Sequence, residues 1–381
     1  MQFRKLILVF VLLLVFIFIN VGTVASAYSV DSDFTDELWE KALVLEVKDL
    51  DSSEPSSGYF SEQTVTIEIL SGDFKGQVLQ AQNTLSGSPG WDIAVTEGDK
   101  VIVYITTHEG EIVELNIADY ARADYINYLL IGFMGVLIVV GGIKGIKALV
   151  ALGFTALAIY KFLLPALLAG YAPLPITIAI LTGVTIVTMT IIGGLTKKAF
   201  SATIGTIGGV IFAGLLAYFI GTLASLTGLA TEESRMLLYV DNLNIDIRGL
   251  LFSGIIIGAL GATMDVAMSV ASSVDEIKKA NPNLTTIDLI KAGMNVGRDI
   301  MGTMVNTLVL AYAGGALPML LLYMTYATPG AVIFNSEFIA TEILRAVAGS
   351  IGLILSVPIT AVVSGIIYEQ TSDHKGIEYN S

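Results

Sequence analysis

The sequence predicts a multipass α-helical membrane protein, about seven transmembrane helices in a bundle, with a small all-β domain at its N-terminal end. Three observations lead there. Only 14% of the 381 residues are charged and 54% are hydrophobic, whereas ordinary soluble domains carry about 25% charged residues. Long apolar runs fill the chain from Asp124 onward. Between Tyr28 and Asp124 the pattern is instead one of short alternating segments separated by Gly, Ser and Pro turns.

Residues 1–27 read as a secretion signal. Arg4 and Lys5 form the positive end, Leu6 to Ile19 the apolar core, and Ala25-Ser26-Ala27 the small-residue cleavage pattern. A retained helix is the alternative, because 6–27 is just long enough to span a bilayer. Both readings put the segment from Tyr28 outside the cytoplasm.

Residues 28–122 form the extracytoplasmic domain. The runs KALVLEV, QTVTIEIL, GQVLQAQN, DKVIVYITT and EIVELNI predict five strands, and this count and spacing suggest an OB-like barrel. The segment from Tyr28 to Asp124 holds 20 acidic and 5 basic residues, a net −15, and the rest of the chain is at +1. Such a surface lacks the basic groove that nucleic acids need, so no nucleic-acid partner is expected.

Residues 123–381 form the transmembrane domain, with spans predicted near 125–143, 148–169, 174–195, 202–227, 249–271, 301–326 and 339–367. Each has about the 20 residues that a ~30 Å hydrocarbon core requires. With residue 124 outside, the inner loops carry Lys144, Lys147, Lys197, Lys198, Lys278, Lys279, Lys291, Arg298 and Lys375. The outer loops carry Arg235, with Arg248 at a boundary. This is the positive-inside bias, and it puts the C-terminus in the cytoplasm. In the loop after the fifth span, NPNLTTIDLIKAGMNVGR predicts a short amphipathic helix on the inner membrane surface. Thr285 caps it with Asp288, and Ile287, Ile290 and Met294 share a face.

Catalytic and cofactor signatures are missing. The chain has no cysteine, and its two histidines, His108 and His374, fall on opposite sides of the membrane in this topology. No metal site or cofactor is therefore expected. There is no P-loop, no H-E-x-x-H and no G-x-S-x-G, and the expectation is a protein that is not an enzyme.

Polar residues inside spans carry the functional signal, because a mid-membrane charge costs at least ~2.5–3.5 kcal/mol and needs a partner or a watery cavity. Asp265 lies about five residues from the inner end of the fifth span, ~7 Å below the interface. Asp265, Ser269 and Ser272 share one helix face, and Asp299, Thr303 and Asn306 repeat that spacing on the sixth span beside Thr307. The two stripes at matching depth read as an ion- or proton-binding cavity with Asp265 titrating. The competing reading pairs Asp265 with Arg298 as a helix-to-helix tie. Nearer the outer side, Glu342 and Arg345 can pair on the last span, with Lys161 of the second span reaching Glu342 or the headgroups. These four charges, Arg298, Lys161, Glu342 and Arg345, are read as structural or gating ion pairs. Gly314, Gly315 and Pro318 interrupt the sixth span in the manner of a broken transporter helix. Gly205, Gly208 and Gly209 on the fourth suit close helix packing.

Two blocks, GATMDVAMSVASSVDEI (261–277) and AGMNVGRDIMGTMVNTLVLAYAGGALPMLLL (292–322), resemble the YibE/F family of multipass bacterial membrane proteins, and the similarity runs from the extracytoplasmic domain to the last span. The resemblance implies a bacterial plasma-membrane location. No residue roles are carried over from it. The expected function is a secondary transporter or exporter subunit, with an inner-half polar path between spans four to six. Its partners would be the lipid bilayer and either a paired permease or further copies of itself. The alternative is a scaffold that presents the β-domain to envelope partners.

Overall fold

The computed structural model describes residues 36–50, 61–88, 90, 92–108, 110–240 and 245–377. The secretion-signal reading of 1–27 lies outside the described residues. The chain divides into two compact units near residue 139.

In the first unit, β1 (Asp36–Leu50), β2 (Ser61–Ile69), β3 (Val78–Leu85), β4 (Lys100–His108) and β5 (Glu111–Tyr120) form one antiparallel sheet in the order β3-β2-β1-β4-β5. The long β1 pairs with β4 through Asp36–Leu43 and with β2 through Ala42–Leu50. Its register shifts between Val44 and Glu46, and a bulge there bends the strand. The edges β3 and β5 come near one another, so the sheet curls into a near-barrel with an OB-like strand order. Period-two alternation turns Ala42, Val44, Val65, Ile67, Val101, Val103 and Ile105 inward as its core. Two amides are buried among them and are satisfied there. Asn83 Nδ2 donates to Gln63 Oε1 (3.1 Å) and to the Ile93 carbonyl (2.7 Å), which pins the segment before β4. Lys41 on β1 meets Asp124 at 2.7 Å, tying the sheet to the first turn of the helix that follows.

Among the described residues, six helices are long and apolar enough to cross a membrane: α1 (Ala123–Leu168), α2 (Pro173–Gly193), α3 (Lys197–Leu223), α4 (Ile247–Ala280), α5 (Thr286–Thr325) and α6 (Glu337–Ile377). The first two predicted spans are joined in α1, because no cap or proline separates them and Lys144 and Lys147 are helical. Its 46 residues would reach ~70 Å if straight, more than two hydrocarbon cores. They are not straight. Gly142, at φ 54° and ψ −132°, breaks the helix, in a region of backbone space that favours glycine.

Within the second unit, α3, α4 and α6 form the packed centre. The densest seam runs between α3 and α6. Ser201, Gly205, Gly209, Ala213, Ala217 and Gly221 recur every four residues on α3 and are all buried. Ala348, Gly352, Ser356, Thr360 and Ser364 do the same on α6. A Cβ at Gly209 would stand 2.5 Å from the Gly352 carbonyl oxygen, and one at Gly352 would stand 2.6 Å from that of Gly209. Small residues allow this close backbone approach where no hydrophobic force drives helices together.

Two sequence expectations about α5 are corrected. The predicted surface helix is the first part of α5 itself. Thr285 and Asp288 form the expected capping box, but the helix runs on unbroken into the span. Leu289 is fully buried and Ile287 is 63% exposed, so this part packs on its neighbours through a different face. Nor do Gly314, Gly315 and Pro318 interrupt the helix, which continues to Thr325. Proline's ring collides with the carbonyl four residues back, here Gly314, where the missing side chain leaves the backbone free to adjust.

The bundle's two ends differ in charge. Lys197 donates to the Ile367 carbonyl (3.3 Å) and Gly365 packs on Ile290. The start of α3, the end of α6 and the start of α5 therefore meet at one end, with Lys198, Lys278 and Lys279. At the other, the Glu337 carboxylate accepts from Thr227 N (2.7 Å), Thr227 Oγ1 (2.7 Å) and Gly228 N (2.8 Å). Arg248 Nε donates to the Leu226 carbonyl (2.7 Å) and clasps the same loop.

Candidate functional site: an open polar face on α4 and α5

The antiparallel contacts of α4 and α5 set the depth of the polar residues. Gly293 packs on Val274 near one end, and Tyr312 packs on Gly258 towards the other. Interpolation places Asp265 level with residues 302–305, within a turn of Asn306. Arg298 falls level with residue 270, ~7 Å further along the axis.

Depth agrees, but enclosure does not. Helix α5 buries Leu289, Gly293, Gly297, Leu308 and Ala316. Asp299, Thr303, Asn306 and Thr307 stand on its opposite side, exposed. On α4 the exposed stripe is Gly254, Gly258, Gly261, Asp265 and Ser269, while Val266, Ala267 and Val270 face the core. The cavity expected between the two stripes is therefore not closed by the described helices of the second unit. Spacing puts residues on a common helix face, but neighbouring helices decide which face is covered. Here α6 takes the other side of α5.

The threonines are satisfied locally: Thr303 Oγ1 donates to the Ile300 carbonyl (2.9 Å) and Thr307 Oγ1 to that of Thr303 (2.9 Å). Among the described residues, Asp265, Arg298, Asp299 and Asn306 have no ion-pair or hydrogen-bond partner. The expected Asp265–Arg298 tie is absent, since the two lie at different depths and Arg298 projects outward. Gly302, Gly314 and Gly315 on α5, and Gly254 and Gly261 on α4, have open space where a side chain would be. Pro318 is exposed on the same helix.

Away from this face, Arg345 and Glu342 form the expected intrahelical pair on α6, at 2.8 Å with side chains 30% and 18% exposed. The Arg345 guanidinium lies 5.7 Å from the Tyr312 ring centre. Lys161 is not part of this group. It sits in a π-helical turn, Ile159–Leu163, and covers the ring of its neighbour Tyr160 at 5.2 Å. Sequence reasoning missed Tyr312 and the hydroxyls of Ser201, Thr206, Thr360 and Ser364, which are buried without a hydrogen-bond partner among the described residues. The four-residue repeat of small residues on α3 and α6 was the signal for Ser201, Thr360 and Ser364. Among the described residues, no cluster of His, Asp and Glu is arranged to hold a metal.

Comparison with known families gives two matches. Residues 39–120 match the YibE/F family N-terminal domain, and residues 129–370 match the YibE/F-like protein family. No curated protein matches the chain, and no solved structure matches it. Two matched segments covering the β-domain and the membrane helices show that this chain belongs to the YibE/F-like family.

Proposed function

We propose that this integral membrane protein is a secondary transporter or exporter subunit of the bacterial plasma membrane, performing no covalent chemistry. Its translocation path runs along the inner half of α4 and α5. The observation that carries this reading is the exposed set Asp265, Ser269, Asp299 and Asn306 on helices long and apolar enough to cross a membrane. Lipid is a poor neighbour for such groups, since an unpaired charge in hydrocarbon costs at least ~2.5–3.5 kcal/mol. Water and a transported ion are better ones. In this reading α1 crosses twice, turning at the Gly142 break beside Lys144 and Lys147. The lysine-rich end of the bundle is cytoplasmic, with the C-terminus, and the acidic β-domain is outside.

The test uses the absence of native cysteine. Thr303→Cys and Asn306→Cys should react with a membrane-impermeant thiol reagent applied from the cytoplasmic side, and Phe219→Cys on α3, 61% exposed, should not. Protection of both α5 positions would sink the path and favour the scaffold reading.

A further inference from the structure

The proposed path has one wall missing. Its polar residues and its open glycines all lie on the side of α4 and α5 that the other described helices of the second unit leave uncovered. We infer that a second copy of this chain, in the same orientation, packs against this face and closes the path between the two copies.

The occupant follows from charge and depth. Copies inserted with one orientation meet about an axis along the membrane normal, so each residue faces residues of its own depth. Such a twofold contact must be complementary to itself. Arg298 and Asp299 are adjacent, both exposed and both without a partner among the described residues. Across the axis Arg298 of one copy meets Asp299 of the other, twice. A face bearing a single sign would repel its own image. The chain's remaining apolar segments lack this complement: the charges that flank residues 6–27 and 125–141 at the inner side, Arg4, Lys5, Lys144 and Lys147, are all basic and offer Arg298 no counter-charge.

Packing supports the same occupant at the outer half. Gly254 and Gly314 lie at one level, both exposed, and a Cβ added at either would meet nothing within 4 Å. Exposed glycines on spanning helices let backbones approach closely. The outer half of the face thus closes as a tight seam, while the inner half, lined by Asp265 and Asn306, stays polar and wet. The described helices of one bundle leave the site incomplete, and a second copy completes it.

This inference rests on the path reading for the location of the wet half, but its test does not depend on flux. Full-length protein bearing Gly314→Cys or Thr307→Cys is oxidised in native membranes and run on a denaturing gel without reductant. A single cysteine cannot bridge within one chain, so a covalent dimer reports a second copy directly. Both variants should yield the dimer and Phe219→Cys should not. Arg298→Asp should reduce the yield several-fold, and adding Asp299→Arg should restore it. No dimer from either α5 position, a yield no greater than that of Phe219→Cys, or a bridge to a different protein identified by mass would overturn the proposal. A dimer together with thiol-protected inner positions would instead retain the interface and reject the path.

Discussion

Asp92 accepts from Ser86 N (2.7 Å), Ser86 Oγ (2.8 Å) and Ser88 N (2.8 Å), and these donors hold its carboxyl below the usual carboxylate range. A depressed folded-state pKa stabilises the fold above the unfolded value of about 3.9 and stops doing so as pH falls through the folded value. The β-domain should therefore lose stability on acidification below about pH 4. Both tryptophans, Trp39 and Trp91, fall in this domain, so tryptophan fluorescence of the intact protein follows its melting. Asp92→Asn should lower that melting temperature at neutral pH and flatten its acid dependence; an unchanged acid profile would contradict the assignment. At one end of the bundle, Glu337 holds residues 227–228 through three donors, Thr227 N, Thr227 Oγ1 and Gly228 N. Glu337→Ala should cost about 1–2 kcal/mol, read as a lower aggregation temperature in detergent. The Asp288 cap was legible in the sequence because its partner is three residues away. Glu337's role was not, since Thr227 is more than a hundred residues distant.

Among the helices, the α3–α6 seam is where side-chain volume matters most. Gly209→Val should destabilise the bundle by about 1–3 kcal/mol or more through overpacking. Gly183→Val, on α2 with nothing within 4 Å, should shift stability by less than about 0.5 kcal/mol. Equal effects in a detergent thermal-shift assay would remove the seam from the account. The sequence marked Gly205, Gly208 and Gly209 as packing glycines, and their roles can now be distinguished. Gly205 and Gly209 meet the α6 backbone and small side chains, whereas Gly208 meets Ile359. Pro318 misled because a proline alone signals a break, and its relief comes from the glycine four residues earlier.

For the molecule as a whole, strand alternation and the length of the apolar runs are local properties, so the β-domain and the spanning helices could be read directly. The same holds for the charge difference between the bundle's ends. Spacing also placed Asp265 and Asn306 at matching depth. What it could not supply was which stripe the fold covers, because α6, assembled from residues 337 onward, decides which side of α5 is buried. That difference leaves the polar stripes open where an enclosed cavity was expected, and makes Asp265 the residue on which the proposed path depends. The most direct measurement is cation flux into proteoliposomes, followed with an entrapped pH dye for protons and radiolabelled sodium for Na⁺. Wild-type protein should carry one of these cations faster than empty liposomes. Asp265→Asn, with an unchanged size-exclusion profile, should fall to the empty-liposome rate. Equal flux in the two proteins, or wild-type flux no faster than empty liposomes for both cations, would contradict the account.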